Sequence, residues 1–160
     1  MNEIRIRDAR DEDGDALIAL IRACWVNYPG CFLDVDGESP ELRCFASHYK
    51  DKGGRAWIAE LSGKVVGSAA VKPASDGAHI MTLYVDPALR RQGLARRLLT
   101  LVEEAANKFD AEVIDLWTDV RFVEAHGFYE SFGYVRQPGT RHLEDASSSI
   151  EFNYVKNLEP

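Results

Sequence analysis

No apolar run in the 160 residues approaches the roughly 18 that a bilayer crossing needs. The opening stretch, Met1-Asn2-Glu3-Ile4-Arg5-Ile6-Arg7, carries charge where a secretion signal would be apolar. Cysteine is scarce: Cys24, Cys31 and Cys44 form an odd set without C-x-x-C spacing, which supports neither a disulfide framework nor a zinc site and fits a reducing cytoplasm. Positive charge is in deficit, 19 Lys and Arg against 26 Asp and Glu, for a net charge of −7. That balance argues against sequence-independent binding to nucleic acid or to an anionic membrane. The phosphate motifs G-x-x-x-x-G-K-S/T and G-x-G-x-x-G are missing, as are internal repeats and linkers. The expectation is one soluble, unexported domain over residues 1–160, cytoplasmic and without a metal.

Hydrophobic residues make up 46% of the chain, enough for a core at this length. Ile4 and Ile6 alternate with Arg5 and Arg7 as in a half-buried strand, and the acidic stretch 11–15 starts a helix with Leu17, Leu20, Ile21 and Cys24 on one face. Tyr28-Pro29-Gly30 breaks that pattern. Ser39-Pro40-Glu41 opens a second helix through about Tyr49, ended by Gly53-Gly54. Segments 56–61 and 65–71 read as a hairpin around 62–64, and a third strand, 78–85, stops at Asp86-Pro87. From Gly93 the period changes, with Leu94, Leu98, Val102, Ala105, Ala106 and Phe109 along one helical face. A buried strand follows at 113–117, then a short helix marked by Phe122, Ala125, Phe128 and Tyr129 and ended by Gly133. Strands 134–136 and 150–155 close the chain around a polar loop, 138–149. The order β-α-α-β-β-β-α-β-α-β-β predicts an α/β (α+β) fold, a mixed sheet with helices on both faces.

Segment 86–97 joins a strand to a helix N-terminus, where unpaired backbone N–H groups and the positive dipole end favour an anion such as phosphate. Gly93 and Ala95 are small where a ligand must approach the backbone, and Arg90, Arg91, Arg96 and Arg97 put four positive charges into eight positions. A solvated arginine face has the same composition. However, cations in a first helical turn oppose the dipole by about 0.3–1 kcal/mol each, and a bound polyanion removes the conflict.

Arg90-Arg91-Gln92-Gly93-Leu94-Ala95 matches the signature Arg/Gln-x-x-Gly-x-Gly/Ala of the GNAT superfamily of acyl-CoA-dependent N-acetyltransferases. Leu83-Tyr84-Val85-Asp86-Pro87 resembles that family's fourth strand. Ala125-His126-Gly127-Phe128-Tyr129-Glu130-Ser131-Phe132-Gly133-Tyr134 resembles its second motif, A-x-x-F-Y-E-x-x-G-F, and the likeness covers nearly the whole chain. The resemblance implies a mostly antiparallel GNAT-like sheet of six to seven strands and acetyl-CoA as cosubstrate. Residue by residue, it implies that the backbone from Arg91 through Gln92, Gly93, Leu94 and Ala95 to Arg96 cradles the pyrophosphate, and that arginine side chains, Arg90 among them, reach the 3′-phosphate. Leu83, Tyr84 and Val85, released by a bulge and a splay from strand five, would bind the pantetheine arm.

Tyr129 matches the family tyrosine near the coenzyme sulfur and is assigned the general acid, with a core aromatic as its plain alternative. A backbone N–H near Val85 is the matching oxyanion donor. His79 lies six positions before Val85, where some members carry a glutamate base, and is the candidate base. Proton loss to water is the default, with Asp119 and Glu60 as weaker candidates. The chain departs from the family at Phe122, where many members have an asparagine that contacts pantetheine. The resemblance also builds an acceptor groove from the loop between the first two helices and from the region after strand five, and in the loop 28–38 the acids Asp34, Asp36 and Glu38, interleaved with aromatic and apolar residues, are candidate ligands for a cationic amine. A solvated acidic loop is the alternative, and the spacing is not that of a calcium loop. The cysteines are expected to be small buried side chains rather than nucleophiles.

The expected activity is direct transfer of acetyl from acetyl-CoA to a primary amine on a small molecule or protein. No nucleic-acid or membrane partner is expected, and family habit suggests a homodimer. The alternatives are a non-catalytic coenzyme A sensing domain and a protein-interaction module; Tyr129 speaks for the enzyme and the arginine cluster against the module.

Overall fold

A computed structural model of the chain describes residues 3–159. Strands β1 (Arg5–Asp8), β2 (Arg55–Leu61), β3 (Lys64–Ala74), β4 (Gly77–Val85), β5 (Val113–Asp119), β6 (Val135–Arg136), β7 (Arg141–His142) and β8 (Ile150–Asn157) form one sheet. Its order is β1-β2-β3-β4-β5-β8-β6, with β7 also on β8. All pairs are antiparallel except β4 and β5, which are parallel and share only Ala78↔Ile114 and His79↔Asp115. This is the expected mixed, mostly antiparallel sheet, with eight strands rather than six or seven. The addition is β7, whose two residues are both exposed and so leave no alternating apolar trace.

Helices α1 (Gly14–Trp25), α2 (Val35–Glu38) and α3 (Phe45–Asp51) precede β2, α4 (Leu94–Lys108) links β4 to β5, and α5 (Val123–Ser131) follows β5. Strand alternation feeds two cores. Ala56 and Ile58 of β2 pack with Leu17, Ile21, Phe45 and Tyr49 of α1 and α3, while Trp57 and Ala59 face Leu94, Leu98 and Val102 of α4. β3, between them, is buried on both faces from Val65 to Val71, which is why it reads as an unbroken apolar run. Burying each α4 leucine contributes roughly 1.5–3 kcal/mol. Gly67 of β3 lets the helix settle closely: a Cβ there would lie 3.2 Å from Leu94 Cδ2 and 3.3 Å from Leu98 Cδ1.

The expected second helix is split. Pro40–Cys44 forms a 3-10 turn, Cys44 breaks the run at φ −139°, and α3 begins at Phe45. This segment presses on the start of α1, where a Cβ on Gly14 would stand 2.8 Å from Leu42 O. The β2–β3 hairpin turns on Ser62 and Gly63, both at positive φ (51° and 79°), the two-residue geometry that matches strand twist.

A bulge in β4 opens the sheet. Met81 pairs with Ala70 and Tyr84 with Ser68, so Thr82 and Leu83 together oppose Ala69, and Thr82 sits at φ 54°. The buried Ser68 Oγ donates to Thr82 O at 2.7 Å. Beyond His79 and Asp115 the ladder between β4 and β5 ends, and the two strands part in a V.

Candidate active site

At the open end of β4, Asp86 N–H donates to Val66 O at 2.8 Å, on the β3 side. Strand alternation therefore turns the N–H and C=O of Val85 away from β3 into the V, where Cys24 Sγ donates to Val85 O at 3.3 Å. The chain then passes through a 3-10 turn, Pro87–Leu89, capped by the Asp86 carboxylate on Ala88 N–H. Arg91 and Gly93 follow at φ 65° and 82°. These two left-handed residues curl the backbone so that successive N–H groups converge. The first hydrogen bond of α4 is Arg97 N–H to Gly93 O, which leaves the N–H groups of Leu94, Ala95 and Arg96 without helical partners. The space where a Gly93 Cβ would lie is open.

A cleft of about 490 Å³ runs along this backbone. Leu83, Tyr84 and Val85 form one wall, Arg90, Arg91, Gly93, Leu94, Ala95 and Arg96 the cradle, and α5 with Phe128 and Tyr129 the far side. Of the expected coenzyme residues, Gln92 alone stands outside the lining, exposed to solvent. The guanidiniums are dispersed: Arg90 reaches Glu124 at 3.4 Å, Arg96 lies over the Phe132 ring at 5.4 Å, and Arg97 turns to Ile4 O at 3.4 Å. Phe122 packs edge-on to Tyr28 (4.8 Å between centroids) and against Trp25 (6.3 Å), an aromatic wall where an asparagine was the family expectation.

A second cleft, of about 200 Å³, meets the first at Trp25, Leu83, Tyr84, Phe122, Ala125 and Tyr129. Burial alone pushes the Tyr129 phenol well above the usual tyrosine value. Burial does the same for Tyr84, against the opposing indole N–H of Trp25. Both phenols are therefore proton-bearing at neutral pH. The second cleft carries the carboxylates of Asp119, Asp145 and Glu151. Asp119 is gripped by Arg121, Nε to Oδ1 at 2.8 Å and Nη2 to Oδ2 at 2.9 Å. Burial works to raise its carboxyl, but the guanidinium and backbone N–H of Arg121 together hold it below the usual carboxylate value. Two loops are laced over this cleft. Phe32 N–H donates to Ser147 Oγ (2.7 Å), Ser147 Oγ donates back to Phe32 O (3.1 Å), and Ala146 N–H donates to Glu38 Oε2 (2.9 Å).

The other expected site residues lie elsewhere. His79 sits at the closed end of the V, its Nδ1 hydrogen-bonded to Asp115, and lines neither cleft. Asp34 accepts from Gly37 N–H and caps α2, Asp36 pairs with Arg43 at 3.0 Å, and Glu38 serves the loop contact just described. Glu60 pairs with Arg7 at 3.3 Å. Burial pushes up the Cys24 and Cys31 thiols, and Cys44 is exposed rather than buried. The loop 28–38 expected at the acceptor contributes Tyr28 to the first cleft and Cys31 to the second, whereas sequence patterns did not single out Trp25, Asp145 or Glu151; the tryptophan closing α1 was the available signal.

The sequence model described as "Acetyltransferase (GNAT) family" matches residues 15–134. The chain belongs to the GNAT acetyltransferase family. As a GNAT enzyme it is an acetyl-CoA-dependent N-acetyltransferase. It is 30% identical over 135 residues to the aminoalkylphosphonate N-acetyltransferase of Salmonella typhimurium, covering 81% of this chain and 83% of that protein. A GNAT acetyltransferase structure from Staphylococcus aureus superposes with TM-score 0.83 at 22% identity, over 98% of this chain and 100% of that one. A Salmonella typhimurium structure holding its cofactor acetyl-CoA superposes with TM-score 0.72 at 16% identity, over 98% and 94%. Among the described residues no helix of this GNAT chain is long and apolar enough to cross a membrane, and no group of three or more His, Cys, Asp or Glu is arranged to hold a metal.

Proposed function

We propose that the chain, acting as one domain, transfers acetyl directly from acetyl-CoA to a primary amine in a ternary complex, with Tyr129 as the general acid. The carrying observation is the Tyr129 phenol, buried at the junction of the two clefts and kept protonated by that burial. The residues present fit the coenzyme: the open space at Gly93 and the unpartnered N–H groups of Leu94, Ala95 and Arg96 suit a pyrophosphate, with Arg90, Arg91 and Arg96 to offset its charge. When bound, acetyl-CoA supplies an activated thioester. Leu83 and Val85 present backbone groups to the pantetheine arm, Tyr84 walls it, and the Val85 N–H is placed to stabilise negative charge on the transferred carbonyl. As the amine nitrogen bonds to that carbonyl carbon and the C–S bond breaks, Tyr129 gives its phenol proton to the sulfur. His79 lines neither cleft, so the excess proton of the amine leaves through water, which also restores the phenol. The acceptor named for the Salmonella relative is an aminoalkylphosphonate, which supports an amine as the reacting group.

The test is Tyr129→Phe. Calorimetric affinity for acetyl-CoA should stay within about twofold of wild type while the rate of thiol release falls by roughly 10²–10⁴. Full turnover by this variant would remove Tyr129 from the chemistry. Normal acetyl-CoA binding by a wild-type protein inactive on every amine offered would favour a coenzyme sensor instead.

A further inference from the structure

The second cleft has a definite chemical bias. None of its lining residues is Lys, Arg or His, and it carries three carboxylates alongside the hydroxyls of Thr82, Thr118, Ser147 and Ser149. The carboxylates are not equivalent. Both Asp119 oxygens are taken by Arg121, and both Asp145 oxygens by the N–H and Oγ of Ser149, at 2.8 and 2.6 Å. Glu151 differs. Arg141 places Nε and Nη2 on the same oxygen, Oε1, each at 2.7 Å, and its guanidinium lies over the ring of the lining residue Trp117 at 4.1 Å. Oε2 accepts no hydrogen bond among the described residues, although the side chain is only 17% exposed. Arg121 and Arg141 offset two of the three negative charges, so Asp145 leaves the cleft net negative. A second group there is unanswered in geometry: Trp25 Nε1, a fully buried donor bordering both clefts, lies close enough to the Tyr84 phenol to influence it but forms no hydrogen bond of ordinary distance and angle. An oxygen on a ligand would give that buried donor the hydrogen bond that folding alone leaves unmade.

We infer that the second cleft takes a small aliphatic ammonium ion bearing a neutral oxygen, its nitrogen held by Glu151 Oε2 and its oxygen facing Trp25 Nε1, and that it rejects amines carrying an acid group. This rests on the transferase reading above. An ammonium ion completes the half-used carboxylate with a charge-assisted hydrogen bond, the stronger kind, and gives up one proton to water before its nitrogen, then a neutral amine with a lone pair, attacks the thioester. A hydroxyl or amide oxygen accepts from the indole. A carboxylate or phosphonate on the acceptor meets Asp145 and Glu151 with no cation in the lining to receive it, and like charges so placed are costly.

The experiment compares 3-aminopropanol and β-alaninamide with β-alanine and 3-aminopropylphosphonate as acceptors for the wild-type protein, following thiol release from acetyl-CoA, with acetyl-CoA affinity measured separately by calorimetry. The expected kcat/KM for the neutral-oxygen amines is at least tenfold above that for the acid-bearing pair. Glu151→Gln should lower kcat/KM for the preferred amines about tenfold, through KM, with acetyl-CoA affinity within twofold of wild type. Intact acetyl-CoA binding combined with equal or better use of the acid-bearing amines, with no turnover of any of the four, or with an unchanged KM in Glu151→Gln overturns this inference alone. Failure of the wild-type protein to bind acetyl-CoA overturns the transferase reading and this inference with it.

Discussion

Ser68→Ala removes one oxygen and tests what holds the active site open. Ser68 is fully buried and its hydroxyl donates at 2.7 Å to Thr82 O, the carbonyl turned out of register by the bulge. Removing the donor strands that carbonyl, at roughly 1–3 kcal/mol. For a chain of this length about 2 kcal/mol corresponds to a fall in Tm of roughly 4–8 °C. The second consequence is local. A left-handed conformation costs a residue with a Cβ about 1–2 kcal/mol, so Thr82 at φ 54° stays there only while its surroundings compensate. The other contact on Thr82, from the Tyr49 hydroxyl to Oγ1, is 3.5 Å long and too weak to compensate by itself. Without Ser68 the strand is expected to relax toward a regular ladder with β5 and narrow the V. Acetyl-CoA affinity should therefore drop by more than the loss of native population accounts for. Urea unfolding at constant m gives the first quantity, and calorimetry at a temperature where the variant is fully folded gives the second. An unchanged midpoint together with unchanged affinity would show that the bulge is held by something other than this hydrogen bond.

Gly93→Ala should cost about 1 kcal/mol through its φ of 82°, with no clash because the space is open, yet weaken acetyl-CoA binding at least tenfold because the new methyl enters the cradle; equal affinity in titration calorimetry would refute the cradle's location. Asp13, Asp119 and Asp145 are each pushed up by burial and pulled down further by Arg7, Arg121 and Ser149, so their folded-state values lie below the ordinary one near 3.8. A depressed folded value means stabilisation that is fully present above the unfolded value and lost as pH falls through the folded one. Tm should therefore be insensitive to these groups from pH 7 to about 5 and fall steeply below about 4, and a Tm level down to pH 2.5 would contradict the assignment.

The coenzyme side was legible because its parts are contiguous. Arg90 to Arg96 and the strand before them form one continuous strand-turn-helix whose N–H groups of Leu94, Ala95 and Arg96 lack helical partners, the feature an arginine-rich helix start leads one to expect. Tyr129 could be read from its motif. The second cleft was legible only in part: the 28–38 loop supplies Cys31 and the chain after β5 supplies Asp145 and Glu151, but Trp25 at the end of α1 and Met81 and Thr82 at a bulge come from separate segments. A window of neighbouring residues does not show such a juxtaposition. The acids at 34–38 were read from their charge alone; in the fold each already has a protein partner, Asp34 on Gly37, Asp36 on Arg43 and Glu38 on Ala146. His79 matched a family position in spacing, yet the two-residue ladder between β4 and β5 keeps it at the closed end of the V.

The lacing of Phe32 to Ser147 spans 115 positions of chain, whereas the cradle is complete within one strand, turn and helix. Contacts so far apart close the largest loop and form late in folding, and a clasp of a few hydrogen bonds with little apolar burial opens before the rest of the native state. The enzyme is therefore expected to pass through a form that holds coenzyme but has no finished place for an acceptor. Hydrogen exchange would register it as a Phe32 amide that exchanges well before those of Leu98 and Val102.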